Sequence, residues 1–287
     1  MLFIGNCTII LPETTLEITL TRRIIMTLDV LLSAMHLKDY HYIDSLNITG
    51  NCIIINQCDQ TNQQIVSEND RQITYIETPQ RGLSKSRNMA IDRSQADICI
   101  FCDNDVEYLE GYEQLILQEY ERHPEYDMIV FHVESEINPV PCYRSPRKIN
   151  YLTSGKIISY EISFKRKSIH NIRLNERIGA GTKYRMGEEN AFLYECLRQG
   201  LKIYYVPKKI AQLRYEPSTW YSGFNRDFFI ARGASFQAMT SRYSVFLIAQ
   251  YAVRKYNLYK KYVSFFQAIQ YMLNGRKSYK TEFTDRS

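Results

Sequence analysis

One tryptophan, eight prolines and twelve glycines in 287 residues leave little room for a collagen-like or low-complexity chain. No hydrophobic run approaches the roughly 18 residues a membrane span requires. The longest candidate, Val245 to Val253, is too short and contains Gln250, so a polytopic membrane protein is excluded. The apolar start from Met1 to Ile10 has no basic region before it and no small-residue cleavage site after it, and is not read as a signal peptide. The five histidines, His36, His41, His123, His132 and His170, show no ligand spacing with one another or with cysteine. Seven cysteines, an odd number, are scattered through the chain, which suits a reducing cytoplasm. Cys99-x-x-Cys102 is half a metal or redox motif, but it sits in a strand-like run where residues three apart face opposite ways, and no second pair exists.

At 45% hydrophobic and 23% charged, the chain has the composition of one large folded domain, or of a domain with an appendage. Its charge is uneven. From Arg198 onward there are 16 basic and 4 acidic residues, a net +12, which leaves −7 for the first 197 of a chain whose total is +5. This basic end also holds much of the Phe and Tyr, and could meet nucleic acid, an anionic membrane or a phosphorylated substrate.

Apolar runs at Leu28–Ser33, Cys52–Asn56, Gln72–Glu77, Asp97–Cys102 and Asp127–Val133 predict strands. Helical spacing over Leu83–Arg93, with Ser84 as N-cap, and over Gly111–His123 alternates with them. That order predicts an α/β fold with a mostly parallel sheet between helical layers. Further on, Asn138–Lys148 reads as a loop, Ile157–Ser168 as one or two strands, Glu188–Gln199 as a helix and Lys202–Val206 as a strand. Helices are expected at Gly223–Ala238, Val245–Tyr256 and Tyr259–Leu273, with a polar, frayed tail after Gly275. The expected divisions are an N-terminal extension, 1–25, a catalytic domain, 26–220, and a basic-aromatic helical region, 221–287.

Three features carry chemistry. The apolar run Ile98–Cys102 leads straight into Asp103-Asn104-Asp105. Two acids beyond the carboxyl end of a strand can hold a divalent cation, which in turn can hold a diphosphate. Upstream, Arg81-Gly82-Leu83-Ser84-Lys85-Ser86-Arg87-Asn88 opens a helix, where backbone N–H groups and the helix dipole favour phosphate. Arg87 could pair there with a phosphate or with the acidic cluster. Third, Gly187-Glu188-Glu189-Asn190 places two carboxylates in a first helical turn, where an ionised one can take a proton from an attacking hydroxyl. Each feature alone also reads as a turn, a cap or a solvated helix start.

In this order and spacing the three resemble the family 2 glycosyltransferases of the GT-A fold, over about residues 27–220, and most of all the bacterial enzymes of capsular, exopolysaccharide and lipopolysaccharide synthesis. The family's Gly-Leu-Ser-x-x-Arg-Asn segment is Gly82–Asn88, its Asp-x-Asp is Asp103–Asp105, and its later acidic pair is Glu188-Glu189. The resemblance implies inverting transfer of a sugar from a nucleotide-sugar donor, a UDP-sugar first, to a hydroxyl of a glycan or polyprenyl-linked acceptor. It implies that Asp103 and Asp105 bind Mn²⁺ or Mg²⁺, that Glu189 is the general base, and that Glu188 is its acceptor-side neighbour, the last two being interchangeable. Ser33, Ala34, Met35, Asn56, Gln57, Arg81, Ser84, Arg87 and Asn104 fall on the donor side, and Trp220 is expected to meet an acceptor sugar.

Three departures from the family stand out. Asn56-Gln57 replaces a usual acidic pair, Glu189 stands where Asp is common, and no His precedes Ser218-Thr219-Trp220, so that either metal binding is weaker or Arg214 neutralises phosphate charge instead. Rival readings are a nucleic-acid-binding protein using the basic end, a nucleotidyltransferase, and a sugar-binding pseudoenzyme. The first leaves the acidic motifs unexplained, and the second lacks a Gly-rich basic loop at Ser33–Lys38. No nucleic-acid partner is therefore expected. Aromatics from Phe228 to Phe266 interleave with Arg232, Arg242, Arg254, Lys255, Lys260 and Lys261. Two readings of that stretch stand side by side: a surface for the inner face of an anionic membrane, or packing on the catalytic domain or a second subunit of a homodimer.

Overall fold

The computed structural model describes residues 26–135, 142–214 and 223–283. In chain order the elements are β1 (Leu28–Met35), the single turn α1 (Tyr42–Ser45), β2 (Asn51–Gln57), β3 (Asn62–Glu68), β4 (Arg71–Thr78), α2 (Leu83–Arg93), β5 (Ile98–Asp103), β6 (Val106–Tyr108), α3 (Tyr112–Arg122), β7 (Met128–Glu134), β8 (Arg147–Ile149), β9 (Ile162–Lys165), α4 (Glu188–Arg198), β10 (Ile203–Leu213), α5 (Arg226–Met239), α6 (Ser244–Arg254), the single turn α7 (Tyr256–Tyr259) and α8 (Phe265–Phe283). The strands form one sheet in the order β3-β4-β2-β1-β5-β9-β7-β10-β6, with β8 also on β10. Strands β4, β2, β1 and β5 at its centre run parallel.

Alternation along the strands explains the layers. In β1, Val30, Leu32 and Ala34 face one apolar cluster with Tyr112, Ile116 and Tyr120 of α3. Leu31 faces the other, with Ala90 and Ile91 of α2 and Phe192, Leu193 and Cys196 of α4. Cys99 and Cys102 fall into opposite clusters, both buried and both free thiols.

Strands β3, β6 and β8 were not foreseen; β6 and β8 are three-residue strands, and β8 overlaps the end of the stretch read as a loop, while β3 is a full strand. Its sequence Asn-Gln-Gln-Ile-Val-Ser-Glu is almost wholly exposed at the sheet edge, so it has no apolar face to betray it. It pairs antiparallel with β4 across Asn69-Asp70, both with positive φ (50° and 60°), the backbone of a tight two-residue hairpin.

A third cluster lies outside the sheet. Phe229, Tyr259, Met272 and Tyr279 of the C-terminal helices pack there against Ile178, Tyr184 and Met186. Helices α5 and α8 cross closely because Gly233 and Gly275 have no side chain: a Cβ on Gly275 would lie 1.9 Å from the Ile230 carbonyl oxygen. The expected frayed tail after Gly275 is thus corrected. Helix α8 continues to Phe283, with Tyr279 buried and its hydroxyl accepting from Asn175. The helix expected from Tyr259 starts later, at Phe265, after the separate turn α7.

Candidate active site

Register brings the predicted residues to one rim. Ser33 of β1 stands beside Asp103 of β5, Ala34 beside Asn56 of β2, and Met35 beside Gln57. This rim is the carboxyl end of the parallel strands, where open α/β sheets bind ligands. Met35 is half exposed there, whereas Ser33 and Ala34 are buried.

The centre of the site is Arg87, fully buried on α2. Its Nη2 donates to Asp103 Oδ1 (2.7 Å) and to Ser159 Oγ (2.7 Å), and its Nη1 lies 3.6 Å from Glu188 Oε1. The guanidinium also lies over the Phe101 ring, 5.4 Å from its centroid. Burial opposes this charge, and Asp103 and Glu188 more than restore it. Of the two partners foreseen for Arg87, a phosphate or the acidic cluster, the fold brings it the acidic cluster. Ser159 has no sequence signal of its own; it stands in a short 3₁₀ turn 72 residues further on.

The neighbouring residues expected on the donor side hold loops. Gln57 Oε1 accepts from the Gly82 N–H (2.8 Å). Asn56, fully buried, accepts from Leu37 N–H and donates to Leu37 O and Tyr75 Oη. Its amide is thus spent on the loop after β1. Gly82, rather than Ser84, caps α2, and the buried Ser84 hydroxyl donates to Ile178 O (3.0 Å). Ser86 donates to Ser33 Oγ (2.8 Å). Arg81 donates to the Cys58 and Thr78 carbonyls and pairs with Asp59 (2.5 Å). Asn104 accepts at its backbone oxygen from the Tyr42 hydroxyl, and the Asp105 carbonyl accepts from Arg214 N–H (2.8 Å). The Arg214 side chain is held by Glu107 and Ser45.

The acidic pair opens α4. Gly187 is its N-cap, left-handed at φ 84°, and a Cβ there would lie 1.8 Å from Ser235 Oγ of α5, so only glycine lets the two helices meet. Gly179, at φ 105°, lies against the Glu188 side chain in the same way. Glu188 is buried, and burial raises its carboxyl above the usual range while Arg87 pulls it down. Glu189 is partly exposed. Enclosure, and then the charge of Glu188, push its carboxyl up to about 8, with Arg232 and Arg87 opposing. A carboxyl titrating there is matched to proton transfer near neutral pH. Trp220 lies outside the described residues.

Among the described residues no three His, Cys, Asp or Glu side chains gather as a metal cluster. The carboxylates at this rim that a cation could draw on are Asp103, whose Oδ1 accepts from Arg87, and Asp105 two residues on. An all-oxygen set of one or two carboxylates fits Mg²⁺ or Mn²⁺ when substrate phosphates and water complete the shell.

The Glycosyl transferase family 2 model matches residues 51–187. Arg87, Asp103 and Asp105 lie inside that segment, and Glu188 follows it directly. No curated protein matches the chain by sequence. Among solved structures, the fold is similar to residues 1–349 of S. aureus TarS in complex with UDP-GlcNAc, with TM-score 0.61 and 12% identity over 89% of this chain and 90% of that one. The same protein in complex with UDP gives TM-score 0.58 and 10% identity over 91% and 92%. At such identity the likeness shows the fold. With the matched segment carrying Asn56, Gln57, Arg87, Asp103 and Asp105 of the rim and the acidic pair standing at its edge, this chain is a glycosyltransferase of GT-A fold, similar over residues 51–187 to the family 2 enzymes.

Proposed function

We propose that the chain transfers a sugar, with inversion, from a UDP-sugar to a hydroxyl of a glycan or lipid-linked acceptor in surface polysaccharide synthesis. The observation that carries the reading is the buried Arg87, which joins Asp103 at a strand end to Glu188 at a helix start. It holds a diphosphate-facing carboxylate and the acid–base pair in one rigid unit. The UDP and UDP-GlcNAc complexes of the structurally similar TarS support uridine as the base.

In this reading Glu189 accepts the proton of the acceptor hydroxyl as its oxygen bonds to the anomeric carbon, and the bond to the nucleoside diphosphate breaks on the opposite face. Asp105 and Asp103 hold the cation, which when bound neutralises charge on the leaving diphosphate. Glu188, tied to Arg87, keeps the start of α4 in place. Asn56, Gln57 and Ser84 serve the donor through the loops they brace.

The C-terminal surface supports contact with an anionic leaflet. Tyr243, Phe246, Val253, Tyr262 and Phe266 are exposed beside Arg242, Arg254, Lys255, Lys260 and Lys261. Phe228, Phe229, Phe236 and Tyr259 are instead buried in the third cluster, so the packing reading applies to them and the membrane surface is proposed for the exposed residues alone. No described helix is long and apolar enough to cross a membrane.

The test is donor binding and turnover with UDP-, GDP- and dTDP-sugars in Mn²⁺, Mg²⁺ or EDTA. A metal-dependent rise in Tm with one UDP-sugar, lost in Asp105→Ala, is expected. Glu189→Gln should keep donor binding and lose about 10²–10⁴ in turnover. No response to any donor would sink the reading.

A further inference from the structure

Resting on that transferase reading, we infer that the cavity between α4, α5, α6 and the turn at 151–156 binds the acceptor, and that the acceptor is a glycan bearing a fixed negative charge. The cavity measures about 840 Å³, within the range of small-ligand sites. Asn190 and Tyr194 of α4 line it. Residues 188 and 190 are about 200° apart around a helix. Glu188 faces Arg87 and the donor rim, Asn190 faces the cavity, and Glu189 stands between the two sides.

The charge of the lining is one-sided. Lys156, Arg232, Arg254 and Lys255 contribute to it, and among the described residues no Asp or Glu does. None of these four cations forms a salt bridge with a described residue. Arg232 is the most telling. Its guanidinium lies among the rings of Phe228, Phe236 and Tyr251, at 5.6, 6.0 and 5.3 Å, and its Nε is buried with no hydrogen-bond partner. Buried donors without partners are rare, and a cation so placed awaits an acceptor of opposite charge. The aromatic walls complete the fit. Tyr151 and Tyr194 meet edge to face at 5.0 Å, with the Tyr194 hydroxyl donating to Tyr151 O, and flat ring faces suit the C–H surfaces of sugars. An anionic sugar seated on Arg232 would bring its hydroxyls toward Glu189, one residue from Asn190.

The test uses phenyl β-glucosides of one shape: uncharged, carrying a carboxylate at C6, and carrying a phosphate at C6. Each is titrated into the full chain with and without UDP, and binding is read by calorimetry. Both anions should bind about tenfold or more tightly than the neutral glycoside, and the stronger of the two identifies the charged group. Arg232→Gln should abolish the preference and leave UDP binding unchanged. The surface variant Arg254→Gln/Lys255→Gln should weaken it several-fold without touching the core. Equal binding of all three glycosides, or a preference that survives both variants, overturns the proposal. Absence of UDP binding in the same titrations would overturn the donor reading instead, since the anion preference is measured without UDP as well.

Discussion

Arg87 and Arg232 both lie against aromatic rings and both act electrostatically on Glu189, yet the fold treats them in opposite ways. Arg87 is fully buried and is met by Asp103, Ser159 and Glu188. Arg232 is partly exposed, and among the described residues its Nε has no partner and the cavity it lines contains no acid. The first arrangement is that of a cation used as a structural joint, since a buried charge left alone is strongly destabilising. The second keeps a charge available for something that arrives. The contrast also follows the sequence, because the first 197 residues are net acidic and the rest strongly basic.

The comparison can be broken most forcefully at Arg87. Arg87→Ala leaves Asp103 and Glu188 without their buried cation and should cost about 3–5 kcal/mol in urea unfolding, with loss of transfer. Arg232→Gln, removing a partly exposed cation that no described carboxylate pairs, should change unfolding far less. A similar stability loss in both variants would erase the distinction drawn here.

The next effect concerns the frame that carries Arg232. Gly275→Ala sets a methyl against the Ile230 carbonyl where α5 and α8 cross. Overpacking of this kind should lower stability by about 1–3 kcal/mol. Because α5 also carries Arg232, the anion preference should fall while UDP binding holds. An unchanged Tm would show that the helix crossing is looser than the structure describes.

The smallest and sharpest test is the pH profile. Glu189 titrates near 8, above an ordinary carboxylate, so its basic form accumulates as pH rises. Below that value kcat/KM should climb about tenfold per pH unit and then level off. Stability should move the other way. The folded chain holds this proton more tightly than the unfolded one, so the stabilisation is present below the ordinary carboxylate value and is lost as pH rises through about 8. Glu188→Gln removes a like charge and should shift the apparent value down, whereas Arg232→Gln should shift it up. A profile insensitive to both would remove Glu189 from the role of base.

Much of this was legible in the chain. The runs that became β1, β2, β4, β5 and β7 declare themselves because each is buried on both faces, or nearly so, and burial selects apolar residues locally. Helix α2 was foreseen at its observed bounds, though with the wrong cap: Ser84 suits that position, but its hydroxyl is claimed by Ile178 O, 94 residues away. Strand β3 stayed hidden because an exposed edge needs no apolar side. The end of α8 stayed hidden because Asn175 and Ile230, its partners at Tyr279 and Gly275, are remote in sequence.

By itself the sequence determined the alternating α/β order, the three motifs and their spacing, and the split between an acidic body and a basic end. Those are statements about residue type and short-range period, and they need no partner. Only the tertiary structure decided that Arg87 serves two carboxylates, that Asn56 braces a loop, that Arg214 turns to Glu107, and which C-terminal aromatics are buried. A buried polar group must find whichever complementary group the fold sets beside it. That choice is made across tens of residues of chain, where the local pattern carries no record of it.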